Sequence, residues 1–592
     1  MSDIYDKVKQ IRSLMAAQGV DACIITGTDP HQSESLAPCW NDREWLTGFT
    51  GSAGSIVITN TFAGLWTDSR YYIQAAQELA NGPFEMMKLD PKTPFSYIQW
   101  CKENLPENAV LAIDGFDISQ TQFQSFKKML PQDVEIRTDL DLIGQVWINR
   151  PTLPLSQVFA LEVQYCGSSV SEKLTFLQNF LKENNIDLFL VTALDEIAWL
   201  LNLRGSDVLY NPVFVAYLLV GQNENTLFVD DSRFSPPAMR SLKEANVEVS
   251  PYGSIISHLN GLDEKTQIGL DSNLTSVSVY KACNGNIKDI SSPIQLKKSI
   301  KNHTEIANTQ QVMIQDGIAL AKAFFWLHET LKSRTISEYE FSQKVSQERS
   351  LLPGYLGDSF APIIGYQGNG AIVHYHPDEN NSATIHPAGV LLVDSGGQYL
   401  TGTTDITRTI SLGGVSKNAQ RSFTLVLKGM IALSKAVFPV GTTGMHLDIL
   451  ARQFLWQNGQ NYGHGTGHGV GFCLNVHEGP QSIAGMYNQK TKTPMMSGMI
   501  TSNEPGYYEA DQYGVRVENL VLTVPHPQFP NYLKFETLTY YPIDIPMIDE
   551  TYLDSGEKAW FNSYHHKVKS LILPHLDGPI RSWFELKCRP LN

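Results

Sequence analysis

Residues 391–409 read LLVDSGGQYLTGTTDITRT. An apolar run, Leu391 to Val393, closes on the carboxylate of Asp394. Ser-Gly-Gly turn residues follow, and TGTTDITRT returns as a β-rich stretch carrying Asp405. A hairpin sets residues of facing strands side by side. Asp394 and Asp405 can therefore converge although eleven positions separate them. Adjacent carboxylates oppose each other's ionisation, and a divalent cation removes that conflict. Two solvated turn aspartates would explain this stretch, taken alone, equally well.

Three stretches further along add donors. YGHGTGHGVG carries His464 and His468, TSNEPG carries Glu504, and VRVENL carries Glu518. Histidines four apart suit a helical zinc site, but the alternating Gly463, Gly465, Gly467 and Gly469 resist a helix. The expectation is a loop or strand in close backbone approach, with His464 and His468 not serving the same ion. Glu504 precedes the Pro505-Gly506 turn. Glu518 is expected in an alternating strand, with Arg516 on its own side and Val515 and Val517 facing away. Four carboxylates and one imidazole, without thiolates, fit a hard-cation two-metal site and favour manganese over structural zinc. Two cations can share a hydroxide and polarise a carbonyl.

Working outward, the first half of the chain repeats itself. Ile4, Val8, Ile11 and Met15 mark one helix face, followed by strand VDACIIT, Trp45, strand SIVIT and LWTDSR ending at Arg70. Val170, Leu174, Leu177 and Leu181 open the same order again, followed by IDLFLVT, Trp199, FVAYLLV and LFVDDSR ending at Arg233. Two copies indicate a duplicated α/β domain rather than a solenoid. The proline-bearing NRPTLPLSQ and the start of a long helix near Thr304 and Glu305 suggest domains over 1–155, 156–302 and 303–592. From about residue 551, Trp560, Phe561, Tyr564, Val568, Leu571 and Ile572 recur at helical spacing. That face must pack on the third domain or on a second subunit.

The chain has 592 residues, net charge −15, 42% hydrophobic and 18% charged residues. This is an ordinary globular mixture, and its acidity disfavours a general nucleic-acid binder. The charged opening MSDIYDKVKQ holds no secretory leader, and no apolar run is long enough for a membrane span. Seven scattered cysteines, never in a CxxC, argue for a reducing compartment, and a cytoplasmic location is expected.

These motifs together resemble aminopeptidase P, the Xaa-Pro aminopeptidases of peptidase family M24, in their three-domain cytosolic form. The resemblance spans essentially the whole chain. TDPHQSESLAPCWNDREWLTGFTGSAGS and WTDSRYYIQAA resemble the first domain, and LDEIAWLLNLRGSDVLYNPVF the second. AIVHYHP, DSGGQYLTGTTDITRT, GHGTGHGVG, NVHEGP, NEPG and YGVRVEN resemble the catalytic domain. The resemblance implies two related α/β domains of creatinase N-terminal type, followed by a "pita-bread" metallopeptidase domain. It implies Asp394 and Asp405 on a first cation, Asp405 and Glu518 bridging, and His468 and Glu504 completing the second. Glu504 would also handle the proton of the attacking hydroxide. His374, His464 and His477 would act in catalysis from the substrate side, orienting the scissile carbonyl or stabilising the tetrahedral intermediate, and with Arg516 would bind the substrate. The cations would be Mn²⁺, with Zn²⁺ or Co²⁺ as alternatives. The implied reaction is release of the first residue from peptides with proline second, by metal-bridged hydroxide attack on the scissile carbonyl. A homodimer is expected, with the C-terminal helix as a candidate contact. A prolidase-like dipeptidase and a non-catalytic pita-bread binding protein are the rival readings. His376 and His386 match no ligand position and are expected at the surface or behind the ligands.

Overall fold

Ile4, Val8, Ile11 and Met15 lie on one side of helix Ser2–Gln18, with Val8, Ile11 and Met15 buried, and Gly19 leaves the helix at a φ of 66°. That backbone conformation is one in which glycine carries no steric cost. The spacing that marks the helix in the sequence is thus the spacing that buries it. The computed structural model describes residues 2–90, 93, 95–486 and 489–592. It divides into two units: residues up to Leu161 with Ser168–Leu209 and Val213–Ile294, and Glu162–Gly167 with Tyr210–Pro212 and Gln295–Asn592.

The first unit holds two six-stranded mixed sheets. One runs, in spatial order, Glu85–Lys88, Ala63–Thr67, Ser55–Thr59, Ala22–Ile25, Val110–Ile113, Glu135–Arg137. The other runs Val247–Ser250, Asn225–Phe228, Tyr217–Gly221, Leu188–Val191, Gln267–Leu270, Asn286–Asp289. Ranked along the chain, both sheets have the order 4-3-2-1-5-6. In each, the first strand pairs antiparallel with the second and the second antiparallel with the third, while the other pairings are parallel. Identical order and identical direction make the duplication a feature of topology as well as of motif. The Asp-Ser-Arg triplets follow the third strand of each copy but pair differently. Arg70 pairs with its own Asp68 at 2.7 Å, whereas Arg233 reaches Asp207 at 2.5 Å.

The second unit contains the 28-residue helix His303–Thr330. Its cap is Asn302, two residues ahead of the expected Thr304: the Asn302 side chain accepts from the N–H groups of Thr304 and Glu305, and Glu305 closes the capping box. A three-stranded antiparallel sheet orders Ile363–Tyr366, Gly389–Ser395 and Ile406–Gly413. A four-stranded sheet orders Val437–Pro439, Tyr532–Thr537, Asn519–Pro525 and Ile500–Asn503. The face expected on the last long helix is real. In Ser555–Ile572, Phe561, Tyr564, Val568 and Ile572 are buried, and they join one core with Phe324, Leu391, Phe423 and Tyr541. The helix therefore packs on its own chain, and that face is not available to a second subunit. Among the described residues no helix is long and apolar enough to cross a membrane.

Candidate metal centre

Asp394 stands one residue from the end of strand Gly389–Ser395, opposite Thr407 of strand Ile406–Gly413. Asp405 lies just before that second strand. The two aspartates thus sit near the same end of one antiparallel pair, as the hairpin reading requires. The turn itself differs from the expected Ser-Gly-Gly. Residues 397–403 form a smaller hairpin, with Tyr399 facing Gly402. Gly396 stands between the two ladders: the first strand ends at Ser395, and Gly397–Tyr399 begins a second sheet with Tyr355–Asp358 and Gly402–Thr403.

His468 lies on the short strand Gly467–His468. A Cβ at Gly467 would fall 1.9 Å from the Ser502 carbonyl oxygen, so only glycine allows this strand to approach Ile500–Asn503. The His468 ring places Nδ1 3.0 Å from the Gly469 carbonyl. A carbonyl only accepts, so Nδ1 carries a proton; burial opposes the charged form, but the facing carboxylates outweigh it and hold the imidazole well above its ordinary range, so Nε2 is protonated as well and a cation bound there would take that proton's place. Nε2 is 3.3 Å from Glu504 Oε1 and 3.5 Å from Asp405 Oδ2. Orientation of a ligating imidazole by a carbonyl on its other nitrogen is the usual arrangement around a metal.

Glu518 departs from the expected continuous strand. Pairing stops at Arg516 and resumes at Asn519, so Val517 and Glu518 form a break between Tyr513–Arg516 and Asn519–Pro525. The break brings the Glu518 side chain to Thr407, whose hydroxyl donates to Glu518 Oε2 at 2.8 Å. The same hydroxyl accepts from Arg516 Nε at 3.1 Å. Arg516 and Glu518 do share a side, as the alternation implies.

Donor atoms of Asp405, His468 and Glu518 lie within 4.8 Å of one another. Glu504 joins through His468. Asp394 adjoins through charge and through Arg516, which donates to Asp394 Oδ2 at 2.6 Å. Burial, with the neighbouring Asp405 and Glu504 charges adding to it against the pull of Arg516, pushes the Asp394 carboxyl up to about 6. Burial and the Asp405, Glu504 and Asp394 charges push Glu518 well above the carboxylate range. Burial alone would also raise Glu504, but His468 outweighs it and holds Glu504 at about 2. Asp394 Oδ1 and Glu518 Oε1 are buried without a hydrogen-bond partner. A buried oxygen left unpaired is costly, and two in one carboxylate cluster mark places where a cation would sit. The donor set of hard oxygens plus one imidazole lone pair fits divalent cations of the manganese class.

The remaining expected residues gather round this cluster. The His477 ring meets the His468 ring edge-on, centroids 4.4 Å apart. The carbonyl of Val373, next to His374, accepts from Arg516 Nη2 at 3.5 Å. His464 Nδ1 donates to the Gly465 carbonyl at 2.7 Å, so its Nε2 accepts the Tyr508 hydroxyl proton at 2.8 Å. Burial lowers the His464 imidazole to about 4, so it is neutral here. The Tyr508 oxygen in turn accepts from Arg516 Nη1 at 2.7 Å. An unbroken chain therefore runs Asp394–Arg516–Tyr508–His464. His376 and His386 are exposed. Tyr508 and Thr407 escape sequence reasoning: Thr407 adds only a hydroxyl between two quoted carboxylates, and Tyr508 is one of two adjacent tyrosines after NEPG.

Residues 7–142 and 149–305 each match the creatinase/prolidase N-terminal domain, residues 307–525 match metallopeptidase family M24, and residues 531–591 match the C-terminal region of that peptidase family. The chain is 40% identical to a probable Xaa-Pro aminopeptidase P of Laccaria bicolor, over 99% of this chain and 93% of that protein. It is 38% identical to aminopeptidase P2 of Arabidopsis thaliana, over 99% of this chain and 89% of that one. Its fold is similar to the crystal structure of X-prolyl aminopeptidase from Caenorhabditis elegans, described as a cytosolic enzyme with a di-nuclear active site. That match has a TM-score of 0.94 and 31% identity, covering 99% of this chain and 100% of that one. Two creatinase-type domains ahead of a pita-bread domain, full-length relatives of one kind and a converged set of hard donors lead to one conclusion: the chain belongs to the Xaa-Pro aminopeptidases of metallopeptidase family M24.

Proposed function

We propose that this protein is a two-metal exopeptidase that releases the first residue from peptides with proline in second place. The observation that carries the reading is the convergence of Asp405, His468 and Glu518 donor atoms beside two orphaned carboxylate oxygens. Asp394 and Asp405 would hold one cation, His468 and Glu504 the other, with Asp405 and Glu518 shared. Bound there, the cations supply Lewis-acid polarisation of the scissile carbonyl and of the attacking water. Mn²⁺ is the cation this donor set favours, with Zn²⁺ and Co²⁺ as the alternatives a loading series separates.

The chain's own residues divide the rest of the work. Glu504 takes the proton from the attacking water and returns it to the leaving proline nitrogen. His374 and His477 donate to the carbonyl oxygen as it gains charge. His464 reaches substrate only by releasing Tyr508, since both of its ring nitrogens are engaged here. Arg516 holds Asp394 and Tyr508 in place and lies close enough to contribute to substrate binding. Proline in second place removes an N–H and fixes φ, which excludes the extended, hydrogen-bonded substrate geometry of ordinary peptidases. Activity in the cytoplasm fits the cytosolic description of the similar nematode enzyme. A homodimer belongs to the same reading, with its contact away from the buried apolar face of the C-terminal helix, and light scattering measures it.

The test is incubation of Mn²⁺-loaded protein with an Xaa-Pro dipeptide and an Xaa-Pro-containing tripeptide. Release of the first residue from the tripeptide supports the proposal. Cleavage of the dipeptide alone favours a prolidase, and a protein that neither loads cations nor cleaves is a binding module.

A further inference from the structure

Arg408 is 2% exposed, and all six acceptors of its guanidinium are neutral oxygens. Nη1 donates to the Thr407 carbonyl at 2.9 Å and to the Glu518 carbonyl at 2.5 Å. Nη2 donates to Asn519 Oδ1 at 2.8 Å, the Tyr541 carbonyl at 2.7 Å and the Tyr564 hydroxyl at 2.8 Å. Nε donates to the Pro542 carbonyl at 3.1 Å. One side chain thus joins the strand after Asp405, the break that carries Glu518, the segment at 541–542 and the last long helix.

The acceptors on the metal side are specific. Thr407 supplies the hydroxyl that fixes Glu518 Oε2, and its carbonyl accepts from the Glu518 N–H at 3.2 Å. Arg408 grips both main chains at that crossing. On the far side, Tyr564 is held twice over. Its ring stacks on Trp560 at 5.3 Å, and its hydroxyl lies 2.8 Å from the Tyr541 carbonyl. A guanidinium presents its donors in a rigid plane, so moving one acceptor turns the whole fork.

We infer that the C-terminal region is a working part of the metal centre: Tyr564, acting through Arg408, is a positioning residue that sets the main chain of Thr407 and Glu518 and hence the placing of the Glu518 carboxylate. This inference rests on the two-metal reading. It assigns a role to a region otherwise distinguished only by its match to the C-terminal part of the peptidase family. The break at Val517–Glu518 explains why such a brace is needed. Residues there lie outside the flanking strands and are tied by single main-chain bonds, Val517 N–H to the Pro505 carbonyl and Glu518 N–H to the Thr407 carbonyl, so the precision of the ligand depends on the side chains behind it.

The test compares Tyr564→Phe with Val568→Ala in the full chain. Both are buried on the same helix face, but Val568 has no part in the fork. Mn²⁺ alone is titrated calorimetrically, and the thermal midpoint of the metal-free protein is recorded beside kcat and KM. Partners of metal ligands are worth about 10–100-fold in affinity, so Tyr564→Phe, one step further out, should weaken Mn²⁺ about tenfold. It should lower kcat with KM unchanged. Arg408→Lys, which keeps the charge and loses the fork, should exceed that loss. Val568→Ala should lower the midpoint and leave the Mn²⁺ affinity within about twofold, since it removes packing only. A Tyr564→Phe protein that loses midpoint as Val568→Ala does, yet binds Mn²⁺ as the wild type, overturns the brace and leaves the two-metal reading standing. A wild-type protein that binds no Mn²⁺ overturns both.

Discussion

Glu518 and Asp405 are the residues on which most of the candidate site turns, because each is read as shared between cations. Replacing either with alanine removes a donor and a charge from both positions. Asp405→Ala and Glu518→Ala should abolish turnover and lower the bound cation together, as read by metal analysis beside the peptide assay. Tyr508 makes the contrasting case. Its hydroxyl ties Arg516 to His464 instead of binding a carboxylate of the cluster. Tyr508→Phe should lower kcat by about 10–100-fold while bound cation is unchanged. Parallel loss of cation would mean the hydroxyl supports the ligands rather than the substrate face. The ligand candidates were legible in the sequence because each sits in a short motif beside a turn or a glycine run. Tyr508, Thr407 and Arg408 were not. Arg516 and Thr407 are 109 positions apart, and Arg408 and Tyr564 156 apart. Local pattern carries no information about hydrogen bonds of that span.

Elements were legible where burial has a period and obscure where it has none. Helices Ser2–Gln18, Val170–Asn184 and Ser555–Ile572 follow from apolar spacing alone. The interrupted strand at Val517–Glu518 does not, because VRVENLVLTV alternates without a break in the sequence. What the spacing of the last helix left open was its partner, and the structure answers with the chain's own core. One residue of that helix makes this attachment pH-dependent. His565 Nε2 accepts the Ile543 N–H at 3.0 Å, so Nδ1 carries the proton toward the Arg589 carbonyl. Burial, aided by Arg408, lowers its imidazole to about 3. The unfolded chain takes up that proton near pH 6.5 and the folded chain does not. Stability from this group is therefore complete above about pH 6.5 and is lost as the pH falls towards about 3, at up to about 1.4 kcal/mol per pH unit. His565→Gln should flatten the stability profile between about pH 6 and pH 4 by that slope, measured by denaturant unfolding. An unchanged slope would mean His565 is not neutral in the folded state.

On the scale of the whole molecule, the duplication was readable because strand order, Trp and Asp-Ser-Arg recur together. The copies have since diverged in use, as the separate partners of Arg70 and Arg233 indicate. The catalytic unit bears the carboxylate repulsion described above, so cations should stabilise the folded chain. Binding to the native state alone contributes about 2.7 kcal/mol at a hundredfold excess over Kd. Chelation should therefore lower the thermal midpoint, and restored Mn²⁺ should return it. A midpoint indifferent to both treatments would contradict a native-state cation site.

The most direct measurement is an anomalous difference map from crystals of Mn²⁺-loaded protein, collected at the manganese edge. The expected result is two peaks enclosed by Asp394, Asp405, His468, Glu504 and Glu518, one of them touching His468 Nε2. Peaks held by other side chains, or an empty map at those five residues with Mn²⁺ present, would contradict it.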